Sequence, residues 1–285
     1  LLRTTSSALF ALVAILVPDL SLLSAQELAP AYVAEARELA VDPQIVKAFA
    51  IAEELDQWSL ERLIELTEIP APPFLEEARG RRFAELLKQF GADSVWTDIE
   101  GNVIGLRRGR GRERTIGFGG HLDTVFPEGT DVTVHQVGDT LFAPGIGDDT
   151  RGLVVVLTAL RAMEEAGVET EDDILFVGVV GEEGLGDLRG MKHLFRAANE
   201  APDVWIDVDG GGLSRLVTMG LGSVRYRIAF TGPGGHSWGA FGLVNPAHAM
   251  SRAVRYFQDI ADTLTRNGAR TSYNVGRIGG GTSVN

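Results

Sequence analysis

The 285-residue sequence contains no cysteine. Disulfides and thiolate ligands are therefore excluded, and any bound metal must be held by His, Asp and Glu. A site of that composition suits hydrolytic zinc, manganese or cobalt better than redox chemistry. Positive charge is also short: 26 Lys and Arg stand against 39 Asp and Glu, a formal net charge of −13. A nucleic-acid partner would need a basic face to displace counterions from phosphates, and this balance argues against one. Long apolar runs are missing too. The stretch Ala8 to Val17 carries no charge, but at ten residues it is too short to span a bilayer. With Arg3 before it and Leu23-Ser24-Ala25-Gln26 after it, residues 1–25 read as a secretory signal peptide. Cleavage near Ala25 would leave a periplasmic or secreted protein with no stable membrane insertion. Aromatic residues do not interleave the basic cluster Arg107, Arg108, Arg110, Arg112 and Arg114. That cluster reads as a solvated loop rather than a phosphate site.

What is present is a core: 45% hydrophobic residues over this length are ample for one large or two modest domains. Residues 27–68 carry helical periodicity in three short runs, with Pro43 at a helix start and Pro70 to Pro73 as a stop. A helix over 75–90 leads into a hairpin over 95–107 turned at Glu100-Gly101, and a second hairpin covers 131–142. Between the hairpins, Arg114 to Pro127 reads as a buried strand that runs into a loop at His121-Leu122-Asp123. If the strand continues to Asp123, positions 121 and 123 share a face, and the carboxylate can bind the far ring nitrogen of His121. On its own, an ordinary strand-end histidine satisfied by an acid is an equally good reading.

Three further segment ends present acids. Ala143 to Gly152 is rich in glycine, but Asp148 and Asp149 occupy the helix entrance where a dinucleotide's pyrophosphate would lie, and the spacing is wrong. One aspartate is free to cap the helix over 153–166 and the other to meet a cation, with Asp148 the better candidate. The apolar run Asp173 to Val180 reads as a buried strand delivering Gly181-Glu182-Glu183-Gly184. Adjacent glutamates point different ways, so one can bind metal while the other stays free as a base. A strand from Val204 to Asp209 ends in three glycines. Four such ends, separated by helix-containing crossovers, predict an α/β fold: a mixed or parallel sheet flanked by helices, with a metal site at its edge. From residue 221 the character shifts to a strand over 223–231, a turn holding His236, a helix over 245–265 and a strand over 272–278. This predicts an inserted α+β lid or dimerisation domain over 221–285, beside a catalytic domain over 26–220. Because the chain stops at Asn285 without a return to the main sheet, both are expected to be incomplete, a truncation at the carboxyl end. His135, His193 and His248 fall in a hairpin and two helices and read as structural or surface residues.

Taken in order, His-Leu-Asp-Thr, Ala-Pro-Gly-Ile-Gly-Asp-Asp, Gly-Glu-Glu-Gly, Val-Asp-Gly-Gly-Gly, Thr-Gly-Pro-Gly-Gly-His-Ser and Gly-Gly-Gly-Thr-Ser-Val-Asn resemble the zinc exopeptidase family of peptidase T (tripeptide aminopeptidase), glutamate carboxypeptidase, succinyl-diaminopimelate desuccinylase and aminoacylase. The likeness covers about residues 60–285, and Val-Asp-Gly-Gly is most similar to the peptidase T branch. It implies two Zn2+ ions, or Co2+ or Mn2+, with His121 and Asp209 on one, Glu183 on the other and Asp148 bridging. Asp123 would orient His121, and Glu182 would be the general base acting on a water between the ions. His236 would stabilise the oxyanion from the lid of a homodimer, and Asn285 would help hold the substrate. The expected reaction is amide hydrolysis of small peptides, tripeptide aminopeptidase-like. The alternatives are an N-acyl amino acid amidohydrolase, a carboxypeptidase or a non-catalytic peptide-binding remnant. Thr150-Arg151 stands where the family has a lysine, and the family's last metal ligand, a histidine, would lie beyond Asn285.

Overall fold

A computed structural model describes residues 29–111, 113–196, 201–210, 215–267 and 270–284, and these divide into two units that meet at residues 214/215. The signal peptide expected over 1–25 and the substrate residue Asn285 lie outside the described residues. In the first unit, helices α1 (Pro30–Leu39), α2 (Pro43–Glu54), α3 (Asp56–Thr67) and α4 (Glu77–Gln89) precede the sheet. Pro43 begins α2 behind Asp42, whose carboxylate accepts the amides of Gln44 and Ile45. Strands β1 (Ser94–Thr97) and β2 (Val103–Arg107) form the expected hairpin, turned by Asp98, whose Oδ1 accepts the N–H groups of Glu100, Gly101 and Asn102. Strand β3 (Thr115–His121) follows, then the two-stranded hairpin β4 (His135–Val137) and β5 (Thr140–Phe142), and helix α5 (Arg151–Ala166), closed by Gly167 at φ 73°. Strand β6 (Asp173–Val179), short helix α6 (Arg189–Leu194) and strand β7 (Val204–Asp207) complete the unit.

The five-stranded sheet has the order β1-β2-β6-β3-β7, antiparallel across β1-β2-β6 and parallel across β6-β3-β7, which is the mixed sheet read from the sequence. Alternation along β6 divides the core. Ile174 and Phe176 face the layer of α3, α4 and α5, while Leu175, Val177 and Val179 face a smaller cluster with Ile104 and Leu194. On β3 the alternation is written partly in absences. A Cβ at Gly117 or Gly119 would fall 2.3 or 2.7 Å from the indole of Trp205 on β7, and one at Gly120 would fall 2.3 Å from the Asp149 carboxylate. Glycines there admit a neighbouring side chain against the strand backbone.

The second unit contains one helix among its described residues, α7 (Pro246–Asn267), capped by Asn245 through the amides of Ala247 and His248. The strands expected over 223–231 and 272–278 are not formed. Val224, Tyr226 and Ile228 keep the alternating pattern but stand 75, 84 and 73% exposed, with no neighbouring strand among the described residues to complete a ladder. Alternation supplies a face, whereas a strand also requires a hydrogen-bonding partner.

Candidate metal centre

Parallel pairing places the candidate residues at one edge. His121 stands opposite Val179 in the β3–β6 ladder, so Glu182 and Glu183 emerge beside it; Gly119 stands opposite Asp207, so Asp209 follows two residues beyond β7. This is the carboxyl edge of the parallel strands, where α/β sheets collect ligands. His121 is 2% exposed. Its Nε2 lies 2.8 Å from Asp148 Oδ1 and 4.0 Å from Asp209 Oδ1. One ligand atom each from His121, Asp148 and Glu183 falls within 4.8 Å of the others, a donor set and spacing that fit a divalent cation.

The two aspartates of the turn divide the work. Asp148 turns outward to the cluster, while buried Asp149 accepts the backbone N–H of His121 at 2.8 Å and of Gly152 at 3.1 Å. Asp149 thereby caps the first turn of α5 and ties it to the end of β3. Gly152, like Gly120, leaves the space that this carboxylate fills.

Asp123 does not orient His121 in the expected way. The ring Nδ1 is 2.9 Å from the Asp123 backbone carbonyl, with the carboxylate Oδ1 farther off at 3.6 Å. The carboxylate instead accepts the amides of Glu182 and Glu183, each at 3.0 Å, and so joins the end of β3 to the turn after β6. Burial would raise its pKa, but His121 and these two amides outweigh burial and hold it below the usual carboxylate range. Under Leu122 lies Arg79, 0% exposed, which donates to the carbonyls of Ile69, Leu122 and Thr67. Burial lowers its pKa to about 10, against the opposing pull of Asp123. Its sequence signal is a charge on the α4 stripe that also carries Phe83, Leu86 and Leu87.

Burial by itself would depress His121. The Asp123 carboxylate beside Nδ1 and the charges of Asp149 and Glu182 overturn that effect and push the imidazole to about 10. In the metal-free protein both ring nitrogens then carry protons, Nδ1 donating to the Asp123 carbonyl and Nε2 to Asp148. A cation must displace the Nε2 proton. Zn2+ uptake should therefore release about one proton from His121, and its apparent affinity should rise about tenfold per pH unit from pH 6 to 8. Calorimetry in buffers of different ionisation enthalpy checks this; a pH-independent affinity would count against His121 as a ligand. Burial foremost also raises Glu182, reinforced by Glu183, Asp209 and Asp123, and it raises Glu183, reinforced by Asp148.

His236 lies in the second unit, where its Nδ1 faces the amides of Trp238 and Gly239 at 3.2 and 3.4 Å. An apolar groove of about 580 Å³ between α2, α3 and α5, lined by Ile45, Phe49, Leu60, Val154 and Met163, contains none of the clustered acids.

The sheet and the cluster together define an α/β protein with a histidine–carboxylate centre at the carboxyl edge of parallel strands. The chain belongs to the peptidase family M20/M25/M40, whose family model matches residues 117–283. It is 27% identical over 241 residues to the uncharacterized protein YqjE of Bacillus subtilis, covering 79% of this chain and 62% of that one. Carboxypeptidase G2 of a Pseudomonas species is 27% identical over 144 residues, 49% of this chain and 34% of its own. The di-peptidase Dug1p of Saccharomyces cerevisiae shares the fold, with a TM-score of 0.53 at 16% identity over 74% of this chain and 52% of that one. The chain thus spans between about a third and under two thirds of the length of the curated relatives it matches.

Proposed function

We propose that the protein is a metal-dependent hydrolase that cleaves an amide bond in small peptides, with His121, Asp148, Glu183 and Asp209 holding a pair of divalent cations. The observation that carries this reading is the convergence of His121, Asp148 and Glu183 within 4.8 Å, with Glu182 on the adjoining residue. When bound, such cations polarise a scissile carbonyl and acidify water. Glu182 is the general base. Its amide is held by Asp123, and its raised pKa brings it closer to the range in which a carboxylate both takes and returns a proton near neutrality. The family resemblance assigns His236 the oxyanion role; within its own unit its Nδ1 faces the amides of Trp238 and Gly239.

Charge supports one substrate class. Asp148, Glu182, Glu183, Asp207 and Asp209 are five formal negative charges at this edge, one more than two divalent cations offset, which leaves a potential suited to an ammonium group. Together with the Val-Asp-Gly-Gly sequence this favours a free amino terminus, as in tripeptide aminopeptidase activity. The likeness to carboxypeptidase G2 supports a second reading, in which the substrate is recognised by its carboxylate. Zinc-loaded protein should hydrolyse an unblocked tripeptide at least about tenfold faster than its N-acetyl form, a difference of about 1.4 kcal/mol in the barrier. Preference for the N-blocked peptide would transfer the assignment to the second reading, and zinc-independent or absent hydrolysis of both would sink the enzyme.

A further inference from the structure

We propose that the Glu76–Arg189 ion pair, its carboxylate buried and its guanidinium partly so, is a positioning pair that sets the geometry of the Gly181–Gly190 loop and hence of Glu182 and Glu183; the proposal rests on the reading of these glutamates as base and ligand. The loop is compact, with its ends drawn together. At its neck the Gly190 amide donates to the Val180 carbonyl at 3.0 Å. The buried side chain of Asn102 bridges the same two residues, accepting the Val180 amide and donating to the Gly190 carbonyl, each at 3.0 Å. Inside the loop, Gly186 packs so closely on Gly181 that a Cβ there would fall 2.5 Å from the Gly181 Cα. Asp123 fixes one side of the loop through the two glutamate amides. The opposite side is held by Arg189.

Arg189 Nη2 donates to both carboxylate oxygens of Glu76 at 2.9 Å, and its guanidinium lies 5.2 Å from the Phe74 ring centroid. Its side chain occupies the place of a side chain on Gly181, where a Cβ would be 2.8 Å from Arg189 Cγ, and its amide approaches the Gly181 carbonyl at 3.3 Å. Glu76 is itself immobilised. It is 3% exposed, accepts the Phe74 amide at 3.0 Å, and opens α4, whose Phe83, Leu86 and Leu87 are fully buried. The pair therefore connects a rigid helix start to the residue just before Glu182.

Two observations assign it to placement rather than to bulk stability. An ion pair whose carboxylate is buried adds little net stability once the desolvation of that carboxylate is counted, and Arg189 Nη1 is buried with no acceptor among the described residues. The residues just before Arg189, Asp187 and Leu188, have φ of 53° and 57°, a left-handed conformation unfavourable for non-glycine residues. Such backbone persists only where its surroundings over-determine it. The clamp on Arg189 supplies that constraint next to the loop's functional end.

The test uses Arg189→Met, Glu76→Gln, the double variant and Arg189→Lys in the full chain, with hydrogen exchange of the metal-free protein, Zn2+ affinity and steady-state kinetics. Both single variants should speed exchange across residues 181–190 at least about tenfold while α5 keeps its protection. Zn2+ affinity and kcat should each fall about 10- to 100-fold with KM little changed, and the double variant should be no worse than the poorer single. Arg189→Lys, which keeps the charge and loses the planar guanidinium over the Phe74 ring, should fall between parent and Arg189→Met. Parent-like exchange over 181–190 and parent-like Zn2+ affinity in the folded single variants would overturn the proposal. If Arg189→Met does not fold, parent-like exchange in Arg189→Lys overturns it equally. Exchange and Zn2+ binding are read without turnover. A loosened loop in a protein that never cleaves peptide would leave the positioning role standing and sink the catalytic reading.

Discussion

Glu182→Gln should lower kcat by about 10³-fold or more while leaving zinc content and affinity near those of the parent. Glutamine keeps the size of the side chain, and the Glu182 contact that secures the turn is its backbone amide to Asp123, which the substitution does not touch. What is lost is the only property a general base needs, a carboxylate that can accept and return a proton. Glu183→Gln differs in kind. It removes a carboxylate from the His121–Asp148–Glu183 cluster, so metal affinity should fall along with rate. Metal analysis of the dialysed proteins beside kcat and KM separates the two. Undiminished turnover in Glu182→Gln would remove Glu182 from the mechanism, and joint loss of zinc would recast it as a ligand.

Arg79→Met should destabilise the protein by about 3 kcal/mol or more, measured from urea unfolding midpoints. The methionine fills much of the space but donates nothing. The carbonyls of Thr67, Ile69 and Leu122 would lose their donor, and the fully buried Asp123 carboxylate would lose the favourable charge of Arg79. Arg79→Lys restores the charge but cannot serve three carbonyls with a planar fork, so it should recover only part of the loss. Because Leu122 lies between His121 and Asp123, the damage should also reach zinc affinity. An Arg79→Met protein as stable as the parent would show that these carbonyls find other donors.

The elements that position the centre were legible because their patterns are local. Asp173 to Val179 is apolar and β-branched over strand length, and Leu153 to Ala166 is apolar over helix length and closed by Gly167. The parallel pairing that brings His121, the glutamates and Asp209 to one edge followed from the helices between the strands. The orientation of Asp123 did not follow, because alternation holds only within a strand and β3 ends at His121. Beyond that residue the chain turns and hands the carboxylate to the β6 side. The missing strands of the second unit mark the same limit from the other direction, a correct pattern without a partner. Least legible were the long-range contacts of charged side chains, Arg79 to the Leu122 carbonyl across 43 residues and Glu76 to Arg189 across 113. Arg79, Glu76 and Arg189 each read as an ordinary helix charge, and only the fold brings them to their partners.

Strand β3 has three glycines in seven residues, at 117, 119 and 120, so its own side chains say little about how far it should slide along its neighbours. A slip of one position would turn His121 to the opposite face of the sheet. The missing information is stored elsewhere in the chain: the Trp205 indole fits the gaps at 117 and 119, and the Asp149 carboxylate fits the gap at 120. The address of the candidate ligand His121 is thus written in Asp149 and Trp205, 28 and 84 positions downstream of it, and it can be read only after the last parallel strand has docked.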